Sequence, residues 1–211
     1  MLKEYLTMKG EGTHEIVIQK SRFIAHVKRA ETEEEAISFI QSVKKEHWNA
    51  NHNCSAYMIG EQDLTQKTSD DGEPAGTAGV PILEVLKKKG LKDTVIVVTR
   101  YFGGIKLGAG GLIRAYSKSA AEGIKAAGVV KRTLVTTFHT KLDYSWLGKV
   151  ENALHHSPYQ LKEILYLEQV EMVTYVVEDE KAAFQTWMAN LTNGQAEISE
   201  GESLYLETQV E

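Results

Sequence analysis

Between residues 100 and 114 the chain reads Arg100-Tyr101-Phe102-Gly103-Gly104-Ile105-Lys106-Leu107-Gly108-Ala109-Gly110-Gly111-Leu112-Ile113-Arg114, three cations set around five glycines. That combination suits anion binding. Glycines let the backbone take positive-φ conformations and approach a ligand closely. A helix that begins inside such a run points unpaired N–H groups outward. Gly103, Gly104, Gly108, Gly110 and Gly111 would form the seat, and Arg100, Lys106 and Arg114 would supply charge. No Gly-Lys-Ser/Thr follows, so this is not a Walker loop, and the glycines miss the G-x-G-x-x-G order of a dinucleotide fingerprint. The same glycines would equally serve a tight strand–helix packing turn.

Thr68-Ser69-Asp70-Asp71-Gly72-Glu73-Pro74-Ala75-Gly76-Thr77-Ala78-Gly79-Val80-Pro81 is a second polar loop, dominated by turn formers. Asp70, Asp71 and Glu73 would suit Mg²⁺, although their order is not that of an EF-hand. The simpler role is capping of the following helix or pairing with Arg100 and Arg114. His52 and Cys54 stand two apart in a strand-like segment and would share a face. A third group to orient a Cys–His pair is missing, so Cys54 reads as a small buried hydrophobe, and no catalytic residue is assigned. His52 would support the loops or act as an acid or base. His47 and His52 lack a second ligand cluster, so no metal site is assigned, and Mg²⁺ is the one cofactor the acids would admit.

Ordinary elements position these loops. His14–Gln19 and Phe23–Lys28 read as strands, and Thr32 with Glu35 opens a helix as a capping box that ends near His47-Trp48. Asn51–Ile59 enters a strand. The helix Pro81–Lys89 ends in cations and Gly90. Val95–Thr99 is an apolar strand before the glycine loop, and a helix from about Gly110 to Ala127 carries Leu112, Ile113, Tyr116, Ala120, Ile124 and Ala127 on one stripe. After Lys131-Arg132-Thr133 come strand 134–142, helix 145–155, strands 161–167 and 170–177, helix 180–191 and strand 196–208. That order is β-α-β-β-α-β, a ferredoxin-like arrangement. The expected domains are 1–132 and 133–211, in the α+β class.

At 211 residues, with 42% hydrophobic and 25% charged residues, the composition is that of an ordinary globular protein. No apolar run approaches a membrane span, and the first residues lack an apolar signal core. A single cysteine fits a reducing compartment, so a cytoplasmic protein is expected. The net charge of −5 hides a segregation. Residues 87–132 hold eleven Lys and Arg against Asp93 and Glu122, a local balance of +9, whereas residues 133–211 stand at −9. An overall acidic chain therefore still offers a basic patch to a polyanion.

Together, Asn51-His52-Asn53-Cys54, the 68–79 loop and the 100–112 loop resemble the Impact family in its bacterial YigZ-like branch. The resemblance covers close to the whole chain. It implies an N-terminal two-layer α/β domain, similar to one found in ribosomal proteins and small-molecule kinases. It also implies a C-terminal domain similar to a ferredoxin-like domain of elongation factor G, and an association with translation regulation. Eukaryotic relatives restrain an amino-acid-starvation kinase through an additional N-terminal domain that this sequence lacks, so that role does not carry over. The expectation is a non-enzymatic binding protein engaging RNA, the ribosome or another phosphate-bearing polyanion through the glycine loop. A metal-assisted enzyme acting on a phosphorylated small molecule, or a protein-docking regulator, are the alternatives.

Overall fold

A computed structural model describes residues 1–210. Among the described residues, ten strands and five α-helices form two separate antiparallel sheets with their helices. One compact unit comprises Tyr5–Arg132 with the end of the chain from Glu207, and the other comprises Met1–Glu4 with Thr133–Leu206. Among the described residues no helix is long and apolar enough to cross a membrane.

The first unit is built on β2 (Gly12–Ile18), β3 (Ser21–Arg29), β4 (His52–Ile59), β5 (Thr65–Ser69) and β6 (Thr94–Tyr101), in the order β2-β3-β6-β4-β5. Its middle strand β6 is nearly all Val, Ile and Thr, the residues that pack best on a pleated surface buried on both sides. Alternation divides that strand between two cores. Ile96 and Val98 join Cys54, Ala56 and Met58 beneath α2 (Gly79–Lys88) and α3 (Gly108–Ala127). Val95 and Val97 join Tyr57 and Ile59 beneath α1 (Glu33–Glu46), which contributes Ala36, Phe39 and Val43. The expected two layers thus become three, because α1 lies on the opposite face from α2 and α3.

Local signals explain the helix ends. Thr32 Oγ1 accepts from the Glu35 N–H at 3.2 Å, and the Glu35 carboxylate accepts from the Glu31 N–H at 2.8 Å, tying the start of α1. Lys87 and Lys88 lie in the last turn of α2, where the dipole favours cations. The helix expected from Pro81 begins at Gly79, and residues 65–69, partly read as loop, form the edge strand β5.

The second unit follows β7 (Val129–Leu142), α4 (Leu147–His155), β8 (Gln160–Tyr166), β9 (Val170–Val177), α5 (Lys181–Leu191) and β10 (Glu197–Val210). Both helices share one core with the sheet, Val150, Leu154, Phe184 and Met188 packing on Phe138, Leu142 and Met172. The sheet runs β1-β7-β9-β8 with β10 also on β7, so it has a fifth strand beside the four expected, β1 (Glu4–Met8), of which Glu4 alone falls in this unit.

Candidate functional site

Strand β6 continues two residues past the apolar run, and this decides the fate of Arg100. Residues 96, 98 and 100 share the α3-facing side of the sheet, so the guanidinium enters the core rather than the glycine loop. Its side chain is 5% exposed. Its charge lies between the rings of Phe23 at 5.3 Å and Phe102 at 5.5 Å. A cation buried this deeply requires a partner, and Glu73, 3% exposed, supplies it. Glu73 Oε1 accepts from Arg100 Nη1 at 2.6 Å and from the Tyr116 hydroxyl at 2.8 Å. Arg100 Nη2 reaches Ser21 Oγ at 3.4 Å, while its buried Nε has no partner. Of the roles expected for Arg100, the structure shows pairing with a loop acid: its charge is held by Glu73 while it lines the cleft.

The three loop acids part company. Asp70 Oδ1 accepts from the N–H groups of Ala78 and Gly79 at 3.0 and 2.9 Å, and Oδ2 from Gly76 at 2.9 Å. Burial works against this carboxylate, but the three backbone donors outweigh it and hold its pKa below the usual aspartate value. Asp70 is the cap of α2. Asp71 Oδ1 pairs with Lys44 at 2.6 Å and Oδ2 accepts from the Asn53 N–H at 2.6 Å. Asp70 and Asp71 are thus both engaged by donors from the protein. Among the described residues no group of three His, Cys, Asp or Glu is arranged to hold a metal.

His52 sits opposite Arg100 in the β4–β6 register. Its Nδ1 lies 2.9 Å from the Asp71 carbonyl oxygen. A carbonyl only accepts, so Nδ1 carries a proton and the lone pair of the neutral ring is on Nε2. Nε2 faces Glu73 Oε2 at 3.8 Å, too far for a direct hydrogen bond. Cys54, on the same face, is buried against Tyr116 Oη at 3.3 Å and the Asp70 carbonyl at 3.0 Å. Burial pushes its thiol up to about 12, which excludes it as a nucleophile.

The glycine loop is half packing and half open. The Phe102 N–H donates to Asn51 Oδ1 at 2.7 Å and the Gly103 N–H to Ser21 Oγ at 3.1 Å. A Cβ on Gly103 would stand 2.0 Å from the Lys20 carbonyl carbon, so this glycine permits close packing and its N–H is not free for a ligand. Gly108, at φ +67°, turns the chain into α3, whose first turn no side chain caps. There Lys106 is exposed, and Arg114 folds back over Gly110, its Nη1 3.8 Å from where a Cβ would be. Gly104 (φ +85°) is exposed, with open space around it, and Gly111 packs against Leu107.

One open cleft of about 450 Å³ is lined by Asn51, His52, Glu73, Arg100, Phe102, Lys106 and the start of α3. Phe102, exposed at 45%, lines it without having been assigned a role from sequence, and behind its wall Ser21 and Tyr116 hydrogen-bond to Arg100 and Glu73. Lys106, Arg114, Lys118 and Lys125 have no acidic partner among the described residues, whereas Lys92 and Arg132 are taken by Asp63 and Glu31. The cleft can therefore hold an anion at the helix start, an apolar ring on Phe102, and donors of a ligand on Glu73 and His52.

The family model of the Impact N-terminal domain matches residues 19–124, and a second model, a domain of unknown function (DUF1949), matches residues 140–195. The chain is 64% identical over 210 residues to the IMPACT family member YvyE of Bacillus subtilis, covering 100% of this chain and 97% of that protein. It is 40% identical over 139 residues to the IMPACT family member YigZ of Escherichia coli, covering 65% of this chain and 68% of the relative. A crystal structure of a hypothetical protein aligns with TM-score 0.61 at 30% identity, covering 96% of this chain and 99% of that one.

Proposed function

The chain belongs to the Impact family, in its bacterial YigZ-like branch, and from that premise we propose that it is a non-enzymatic binding protein associated with translation, seating a phosphate of a single-stranded RNA at the start of α3. One observation carries the reading: the uncapped first turn of α3, the exposed Lys106 and the exposed ring of Phe102 line the same cleft. A helix N-terminus with a free cation suits a phosphate. An aromatic face beside it suits an unstacked base, the pairing by which single strands are held without a duplex. Arg114, Lys118 and Lys125 extend the positive charge along the exposed side of α3. The translation link follows from the family resemblance, and the ribosome is the setting in which such a strand would be met.

Fluorescence anisotropy with a labelled oligoribonucleotide, titrated over a range of salt, tests this. Each phosphate contact should contribute about −0.7 to the slope of log K against log salt for a single strand. Lys106→Ala and Arg114→Ala should each weaken binding and flatten the slope by roughly that amount, and Phe102→Ala should weaken it without altering the slope. Absence of RNA binding, or variants that leave affinity and slope unchanged, would reject the reading.

A further inference from the structure

Glu73 has an oxygen without a donor. Oε1 is occupied by Arg100 and Tyr116, but Oε2 accepts no hydrogen bond from any described residue, although the side chain is 3% exposed and lines the cleft. Oε2 is not among the buried atoms left unpartnered, so this oxygen opens onto the cleft, where a ligand can reach it. Beside it, 3.8 Å away, stands His52 Nε2, left as an acceptor because Nδ1 donates to the Asp71 carbonyl. Two acceptors so spaced do not satisfy each other. They match a ligand carrying two adjacent donors.

We infer that this pair recognises the two neighbouring hydroxyls of a ribose whose 5′-phosphate sits at the start of α3. This rests on the phosphate seat proposed above and deepens it by naming the sugar and the end of the strand. One hydroxyl donates to Glu73 Oε2 and the other to His52 Nε2. Both 2′ and 3′ hydroxyls must be free, a condition met by the 3′-terminal nucleotide of an RNA and by a free ribonucleotide. The Arg100 ion pair holds the Glu73 carboxylate in the cleft wall, and the Asp71 carbonyl fixes the imidazole. Neither group is delivered by a mobile surface side chain, so the acceptors are in place before the ligand arrives. A cleft of about 450 Å³ is of the size that takes one small ligand rather than a folded helix of RNA.

The test compares ligands on the unaltered protein, so no variant need fold. Anisotropy is measured with one oligoribonucleotide bearing a 3′-terminal diol, with the same strand ending in a 3′-phosphate, with one ending in a 2′,3′-dideoxy sugar, and with the DNA equivalent. Adenosine monophosphate and its dideoxy analogue are run as competitors. Loss of a hydrogen bond to a charged acceptor should weaken binding ~10-fold or more, so the diol strand should lead the other three by that margin. His52→Ala, checked by circular dichroism, should erase most of the preference and leave the salt slope intact. If only the free nucleotide shows the diol preference, the sugar recognition stands and its source is the monomer. Equal binding of all four strands and of both competitors, with Lys106→Ala still weakening them, overturns this inference and leaves the phosphate seat standing. No binding of any strand or nucleotide overturns both.

Discussion

Replacing Glu73 by Gln preserves the shape of the side chain and removes the charge that Arg100 faces in the core. Arg100 cannot turn to water, since its side chain is 5% exposed, and its Nε is already without a partner. Breaking one side of a buried ion pair costs about 3–5 kcal/mol. Gln retains an acceptor for Nη1 and for the Tyr116 hydroxyl, so the lower end, about 3 kcal/mol, is expected. For a chain of this length a kcal/mol shifts Tm by about 2–4 °C, giving a fall of roughly 6–12 °C. Arg100→Met, which leaves the Glu73 charge unpaired, should cost at least as much. The double variant should be more stable than the sum of the two losses by about 2 kcal/mol, because neither orphan charge remains. Calorimetric scans and urea titrations of the four proteins measure that cycle. Single-variant Tm shifts below about 2 °C, or losses that simply add, would refute the claim that this pair holds the cleft wall.

Two further outcomes follow from buried groups. Cys54 has its thiol pushed up to about 12, so at pH 8 it is protonated. A thiol reagent should therefore label native protein far more slowly than urea-unfolded protein, and rapid native labelling would contradict the burial. His26 is driven down to about 4, first by burial and then by the neighbouring His47 ring, while its ordinary value is 6.5. The unfolded chain thus binds a proton that the folded chain refuses. Stability should fall as pH drops from 6.5 towards 4, and the Tm profile of His26→Leu should be flatter across that window.

Much of the fold could be read from local pattern. The stripe of Leu112, Tyr116, Ala120, Ile124 and Ala127 and the capping box at Thr32 are governed by neighbours three or four residues away and stand where expected, whereas Ile113, expected on the same stripe, faces outward. What escaped depends on distant partners. Ending the apolar strand at Thr99 left Arg100 in a loop, whereas its parity with Ile96 and Val98 turns it inward once β6 reaches Tyr101. In sequence Tyr116 is one more apolar stripe residue, and only the arrival of Glu73 from another loop gives its hydroxyl a task. Asp70 as a helix cap is legible in sequence, since an acid in the loop before a helix has that use. Nothing within residues 4–8 signals that they complete a sheet whose other strands begin at residue 129. Glycines 103 and 108 look alike in sequence, yet one serves packing and the other turns the chain into a helix, a distinction set by the Lys20 carbonyl.

Strand β1 also has a consequence for the order of synthesis. It is among the first residues made, but its partner β7 follows only after α1, α2 and α3 have been completed. Until β7 is made, β1 can bridge only to Leu91, the Leu6 carbonyl accepting from the Lys92 N–H at 2.8 Å, and its edge for β7 is open to other chains. Closing so long a loop is entropically slow, which favours late pairing of β1 with β7. A bulky fusion at the N-terminus therefore burdens the last step of folding rather than the first.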